Sequence, residues 1–305
     1  VRIAFTHNLQ VLPGEDEAEF DSPATIGAIA DGLRNLGHDV HVVEASGPVG
    51  QLLGRLELLK PDLVFNTAEG RAGRAREAAL PSLFEQLHIP YTGADAWACT
   101  VTLDKRLTKL AVEKLGLRTP RWSFVERASD VWPENLAFPV VVKPNYEGSS
   151  KGVGAGSIAH DPAELREVVA RQLAAWPSGV LIEEYIDGDD VIVAFVESAP
   201  GCEGGVLPAV RASWSVPREP GAVRMLDFAA KHGANPNVRF EVGGFEPHVL
   251  KALHVAAFAV SRALGLRDVA RLDFRVTPSG EVVFLEANAL PSLDPHSAIY
   301  TAAEA

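Results

Sequence analysis

Apolar positions along this chain follow two spacings that alternate through its first third. Arg2–Thr6, Val40–Val43 and Asp62–Asn66 are short runs rich in aliphatic and aromatic residues, the pattern of buried strands. Between the first two, Ile26, Ile29, Ala30, Leu33 and Leu36 recur at helical spacing. Ser22 is placed to cap that helix, Pro23 suits its first position, and Gly37 stops it. A further helix is predicted over Ala75–Leu87, with a turn at Pro90–Gly93 behind it. Strand and helix in alternation require a parallel sheet, so residues 1–95 read as a Rossmann-like α/β unit.

Beyond it the pattern predicts a helix over Lys105–Leu115, a strand over Phe138–Lys143, a glycine-rich loop, a helix over Ala163–Leu173 and a strand over Val180–Glu184. The last section carries more strands and a long helix over Pro247–Leu264. No internal repeat or low-complexity tract is present. Domain divisions are expected at 1–95, 96–183 and 184–305. Pro217–Asn237, rich in Gly, Pro and charge, reads as a mobile loop.

Near the end, Arg271–Asn288 alternates polar and apolar residues on both sides of Thr277–Gly280, a hairpin signature. A four-residue turn would pair Val276 with Glu281 and set Arg271 opposite Glu286. Arg271, Asp273, Glu286 and Asn288 then share one face. Asp273 and Glu286 become diagonal neighbours at roughly 7–8 Å, within reach of a common ion cluster. Oxygen donors of this kind suit magnesium beside a triphosphate. The other face, Ala270, Leu272, Phe274, Val276, Val283, Leu285 and Ala287, is expected to pack inward.

Composition is that of a soluble globular enzyme, at 47% hydrophobic and 22% charged over 305 residues. A net charge of −12 argues against nucleic-acid or anionic-membrane partners. Cys99 and Cys202 lie far apart with no metal-type spacing, which fits a reducing, cytoplasmic setting. No basic-then-apolar leader and no apolar run of about 18 residues is present, so neither export nor a membrane span is expected.

Two other segments carry candidate chemistry. Lys143 ends a buried-type strand and opens onto Pro144–Gly154, whose small residues let backbone N–H groups form an anion nest. Val180–Ala194 is a strand, an acidic linker and a second strand. That linker is either a solvated turn or a hinge whose backbone reads an adenine. Neither GxxxxGK[ST] nor GxGxxG occurs, which disfavours a P-loop or a conventional dehydrogenase.

Taken in order, Asn66–Gly70, Ile89–Gly93, Leu103–Lys105, Val142–Ser150, Ile182–Ile186, Arg271–Phe274 and Leu285–Pro291 resemble the D-alanine–D-alanine ligase branch of the ATP-grasp superfamily. The resemblance implies an α/β fold, α+β in part, of three subdomains with ATP clamped between two sheets. It implies that Lys105 and Lys143 contact the phosphates, with Ser149 and Ser150 in the loop over them. Glu183, the backbone at Glu184 and Ile186 would hold the adenine, and Asp190, where the family usually has Glu, the ribose. Asp273, Glu286 and Asn288 would bind two Mg²⁺ ions. Lys231 would close onto the γ-phosphate, Arg271 would stabilise the oxyanion, and Ser297 would bind the carboxylate of the amine-bearing substrate. The implied reaction is ligation of small amino-acid-like substrates through an acylphosphate. A homodimer is the family's habit.

Two departures bear on the substrate. The family's Gly-Gly-x-Ser-x-Glu loop, which grips the first D-alanine, is replaced by His7–Phe20, where Glu17 or Glu19 would stand in; Glu69 is a further candidate substrate contact. Ser292 stands where the family commonly has glycine in its oxyanion loop. A specialised-metabolism ligase with another substrate, a small-molecule phosphotransferase and a non-catalytic nucleotide sensor are the competing readings. His232 and His296 are the candidate general bases. Lys231→Ala is expected to lower kcat more than it weakens ATP binding. Steady-state kinetics beside ATP titration checks this, and an unchanged kcat removes Lys231 from the mechanism.

Overall fold

The computed structural model describes residues 1–12, 14–133, 135–217, 222–226 and 237–305. Strands β1 (Arg2–His7), β2 (Asp39–Glu44) and β3 (Leu63–Asn66) form a parallel sheet in the order β2-β1-β3. Helices α1 (Pro23–Asn35), α2 (Val49–Leu59) and α3 (Arg76–Gln86) alternate with them. The cap of α1 forms as its sequence requires, with Ser22 Oγ accepting the Thr25 N–H at 3.1 Å. Phe5 packs with Ile29 and Ala30 of α1, while Ala4 and Val64 pack with Leu52, Leu56, Leu80 and Phe84. Periodicity gave α2 no signal, because Gly50 and Gly54 lower its propensity and only Leu52 and Leu56 are buried.

A second sheet is antiparallel: β4 (Trp122–Val125), β5 (Val140–Pro144), β6 (Ile158–Ala159) and β7 (Val180–Glu184), in the order β4-β7-β5-β6. Helix α6 (Pro162–Ala175) covers it through Leu165, Val168 and Val169. The third sheet is also antiparallel: β8 (Asp189–Val196), β9 (Val210–Trp214), β10 (Val238–Val242), β11 (Val269–Val276) and β12 (Val282–Asn288), in the order β10-β9-β8-β11-β12. Helix α7 (Pro247–Ala263) packs on this sheet. Two short helices of the middle section, α4 (Ala96–Leu103) and α5 (Lys105–Lys114), join the same core: Ala98, Cys99 and Val112 share a cluster with Leu272, Phe274 and Phe284. Helix α8 (Ala298–Ala303) packs with Ile192, Ala194 and Val210.

The C-terminal hairpin forms, but its register differs from the expected one. The turn closes with Thr277 N–H donating to Glu281 O, so Val276 pairs with Val282 rather than Glu281. A β-bulge then adds Leu285 between the pairs Phe274–Phe284 and Asp273–Glu286. Arg271 faces Asn288, not Glu286, and Asp273 sits directly opposite Glu286 rather than diagonal to it. Without the bulge Asp273 would face Leu285, and Glu286 would turn toward the core side of the sheet. The inward side is corrected too: Phe284 enters the core, edge-on to Phe274 at 5.7 Å between ring centroids, while Leu285 lines a cleft.

At Gly188, between β7 and β8, the backbone has φ +146°, and a Cβ would lie 2.1 Å from the Val276 carbonyl oxygen. Gly188→Ala is expected to cost about 3 kcal/mol, read as a lower denaturant midpoint with unchanged slope; a midpoint equal to the parent's contradicts the packing described.

Candidate active site

Between the second and third sheets lies a cleft lined by residues of both. Its walls come from β5 and β7 on one side and β8, β11 and β12 on the other, with Lys105 at the start of α5. Asp104 caps α5 by accepting the Leu107 N–H at 3.2 Å and takes the Asn145 amide at 2.8 Å, which fixes that helix against the loop after β5.

Three lysines cluster here, Lys105 and Lys143 on the cleft wall and Lys109 behind it. Lys105 Nζ donates to the Glu147 carbonyl and lies 3.7 Å from Glu286 Oε2. Burial pulls its pKa down, and Glu286 partly offsets this. Lys143 Nζ meets Glu183 Oε2 at 2.9 Å, and Lys109 Nζ meets Glu183 Oε1 at 2.9 Å. On Glu183 burial is the largest influence and acts upward, yet the two lysines together hold the carboxyl below its usual range. On Lys143 burial acts downward, and Glu183 and Glu286 reverse it to leave the ammonium above its usual range. Lys109 is fully buried and is pushed down to about 8, chiefly by burial.

Opposite these lysines, Arg271 donates to both oxygens of Asp273 at 2.8 and 3.1 Å. Glu286 shares the cleft with Asp273. Asn288 Oδ1 accepts the Leu290 N–H at 3.0 Å. Asp190 is buried against Arg275 at 3.1 Å and accepts the Leu226 N–H at 3.2 Å. Ile186 lines the cleft, and so does Glu184, whose carboxylate accepts the Ala137 N–H at 2.9 Å.

The loop after β5 folds over this space. Ser149 and Ser150 take left-handed backbone conformations, φ 49° and 58°, which cost of order 1–3 kcal/mol each for residues other than glycine and are held only where the surroundings demand them. Ser150 Oγ donates to Leu226 O at 3.1 Å. The loop is tied to the first subdomain by Glu19, which accepts the Gly148 N–H at 2.8 Å, Arg76 Nη2 at 2.7 Å and Lys151 Nζ at 2.6 Å. Glu17 does not join it. Its carboxylate is taken by the Val11 and Leu12 amides at 2.6 and 2.8 Å within its own loop, so Glu19 is the acid of that loop that reaches the cleft's rim.

Beside Glu19, Glu69 and Glu77 are buried against Arg76. Burial first, then the neighbouring carboxylates Glu19 and Glu77, push Glu69 well above the carboxylate range. Burial likewise leads in raising Glu77 to about 7. Ser292 Oγ accepts the Asp294 N–H, and Ser297 Oγ is buried with no hydrogen-bond partner among the described residues. His296 is exposed. Lys231 and His232 lie outside the described residues. Sequence reasoning missed Lys109, Arg76, Glu77 and Lys151. For Lys109 a signal existed, since it stands one turn after Lys105 on the same helix face. For Arg76 and Glu77 there was none, because charged residues in a first helical turn normally face water.

The family model for the D-ala D-ala ligase C-terminus matches residues 111–305. The chain belongs to the D-alanine–D-alanine ligase family. It is 33% identical to the D-alanine–D-alanine ligase of Aquifex aeolicus over 302 residues, 96% of this chain and 94% of that protein. It is 32% identical to the uncharacterized protein y4sG of Sinorhizobium fredii over 302 residues, 95% of this chain and 86% of that protein. Its fold matches the ATP complex of the Bacillus anthracis D-alanine–D-alanine ligase with a TM-score of 0.76 at 22% identity, covering 99% of this chain and 91% of that one. The VanG D-Ala:D-Ser ligase of Enterococcus faecalis gives 0.71 at 20%, covering 99% and 94%. The fold is therefore ATP-grasp, and the protein is an ATP-dependent ligase that forms C–N bonds.

The first subdomain also holds the loop that follows β12. Thr25 Oγ1 donates to Asp294 Oδ2 at 2.7 Å, and Thr67 Oγ1 to Asp21 Oδ2 at 2.6 Å. Burial first, with the Asp294 charge adding, raises Asp21 to about 6 against a restraining hydrogen bond from Thr67. An acid raised in the fold favours its neutral form there, so its stabilising contribution is complete below the ordinary carboxylate range and is lost as pH rises through about 6. Asp21→Asn is expected to stabilise the protein by about 2 kcal/mol above pH 7 and by nothing near pH 4. Melting curves at both pH values check it, and an equal change at the two contradicts the burial argument.

Proposed function

We propose that the cleft binds ATP with two Mg²⁺ ions and joins two small amino-acid-like substrates. The main support is the pairing of Asp273 directly opposite Glu286 on the wall that faces Lys105 and Lys143. The donor set fits the metal: Asp273, Glu286 and Asn288 would each offer oxygen, and the groups beside the two acids, Arg271 and Lys105, are cations. When bound, magnesium would neutralise developing charge on the phosphates.

The chain's own residues then divide the work. Lys105 and Lys143 hold the phosphates, with the amides around Ser149 and Ser150 closing over them. Glu183, the Glu184 backbone and Ile186 hold the adenine, and Asp190 the ribose. A substrate carboxylate attacks the γ-phosphorus, giving an acylphosphate and ADP. The amine of the second substrate attacks the acyl carbon and phosphate leaves. Arg271 stabilises the oxyanion, Lys231 closes onto the γ-phosphate, and Ser149 acts from the loop over the phosphates. Glu69, Ser292 and Ser297 are assigned to the substrates, with Glu19 in the place first given to Glu17. No described helix is long and apolar enough to cross a membrane, and we place the enzyme in the cytoplasm, as a homodimer by analogy with the family.

A second reading has particular support at the substrate end, a ligase whose substrate is not D-alanine. The loop His7–Phe20 lacks the family's Gly-Gly-x-Ser-x-Glu pattern, and Ser292 replaces the customary glycine. A phosphate-release screen of amino acids, singly and in pairs, with mass spectrometry of products, separates the two. Turnover with D-alanine alone supports the first; turnover only with an unlike pair supports the second. Glu286→Gln is expected to lower ligation by at least about 100-fold with the circular dichroism spectrum unchanged. Near-parental turnover in that variant contradicts the metal assignment.

A further inference from the structure

Lys109 is the one member of the lysine cluster that does not line the cleft: its side chain is 0% exposed and contacts Glu183 Oε1 at 2.9 Å and Thr119 Oγ1 at 2.7 Å. We infer that Lys109 is a positioning residue for nucleotide binding, acting through Glu183 to leave the charge of Lys143 free for the phosphates. The inference rests on the cleft being the ATP site.

The argument is one of charge and geometry. Each Glu183 oxygen lies 2.9 Å from one ammonium, Lys109 beneath it and Lys143 on the cleft side. Two ammonium groups on one carboxylate leave the buried triad with a net charge of +1. Without Lys109, Lys143 and Glu183 would form a neutral pair whose dipole points into the protein, and the phosphates would lose a full positive charge in a poorly screened setting. Helix α5 makes the arrangement possible: residues four apart lie on one face, about 6 Å along the axis, so Lys105 reaches Glu286 of the third sheet and Lys109 reaches Glu183 of the second. One helix face thus sets the charge of both walls, and the direction in which Glu183 and Lys143 are shifted agrees with this balance.

The test is calorimetric titration of Mg–ATP into the whole chain. Lys109→Gln keeps a hydrogen-bond donor to Glu183 while removing the charge, and is expected to raise the Kd about tenfold. Lys109→Arg, which keeps the charge, is expected to bind within about twofold of the parent. Added to Glu183→Gln, the Lys109→Gln change is expected to have almost no further effect, because its route to Lys143 has gone. An unchanged Kd in Lys109→Gln, or the same loss with and without Glu183, overturns the inference. Failure of the parent protein itself to bind Mg–ATP would instead refute the reading of the cleft, which separates the two outcomes.

Discussion

A charge removed from water must be paired, and the cleft between the second and third sheets is arranged around that requirement. Lys105, Lys109, Glu183 and Arg275 are all at least nine-tenths buried, and each has an oppositely charged partner within 4 Å. Such pairs add little net stability, since desolvation consumes most of the attraction. What they provide is a cleft whose charges are in place before a ligand arrives, so that phosphate groups meet fixed cations instead of reorganising water. The same requirement explains Arg271: placed beside two acids, it turns onto Asp273 and keeps that carboxylate satisfied.

The parallel-sheet subdomain is bound into this scheme. Glu19 can grip the loop after β5 only because residue 148 is glycine; a Cβ there would lie 2.4 Å from Glu19 Oε1. Glu15 adds a contact to the Gly152 N–H at 3.3 Å. On its other side the same subdomain holds the loop after β12 through Thr25 and Asp294. The loop after β5 and the loop after β12 are therefore anchored on one body, and a displacement of that body would be felt at both.

Much of the nucleotide half was legible in the sequence. Helices α1, α3, α5, α6 and α7 and strands β1, β2, β3, β5, β7 and β8 fall where spacing and caps place them, to within a residue or two at most ends. The polar face of the C-terminal hairpin was also foreseen, though by compensation. The turn is one residue longer than the four assumed, which alone would carry Glu286 to the wrong side, and the Leu285 bulge restores it. Alternation in a sequence reports which side chains share a face. It does not report where an extra residue is absorbed, because that is decided by the close packing of Phe274 on Phe284. Helix α4 was missed because it is short and its apolar residues form no single stripe, Trp97 being exposed while Ala98, Cys99 and Leu103 are buried.

The substrate half resisted reading for a different reason. Lys143, Glu183, Asp273 and Glu286 sit on strands, where local alternation fixes direction. Glu19, Glu69, Ser292 and Ser297 sit at loops and element ends drawn from both ends of the chain, where direction depends on tertiary contacts. The choice between Glu17 and Glu19 shows this. The two acids differ by two positions in one acidic run, and only the capture of Glu17 by the Val11 and Leu12 amides leaves Glu19 to reach Arg76 and Lys151. Electrostatics differ as well. In the cleft between the sheets each buried acid has a cation beside it, as Glu183 between two lysines illustrates. Around Arg76 the acids predominate, and burial with their mutual repulsion shifts Glu69 and Glu77 upward. A sequence lists those residues as charges; only their shared burial shifts two of them toward the neutral form, and no local pattern encodes that burial.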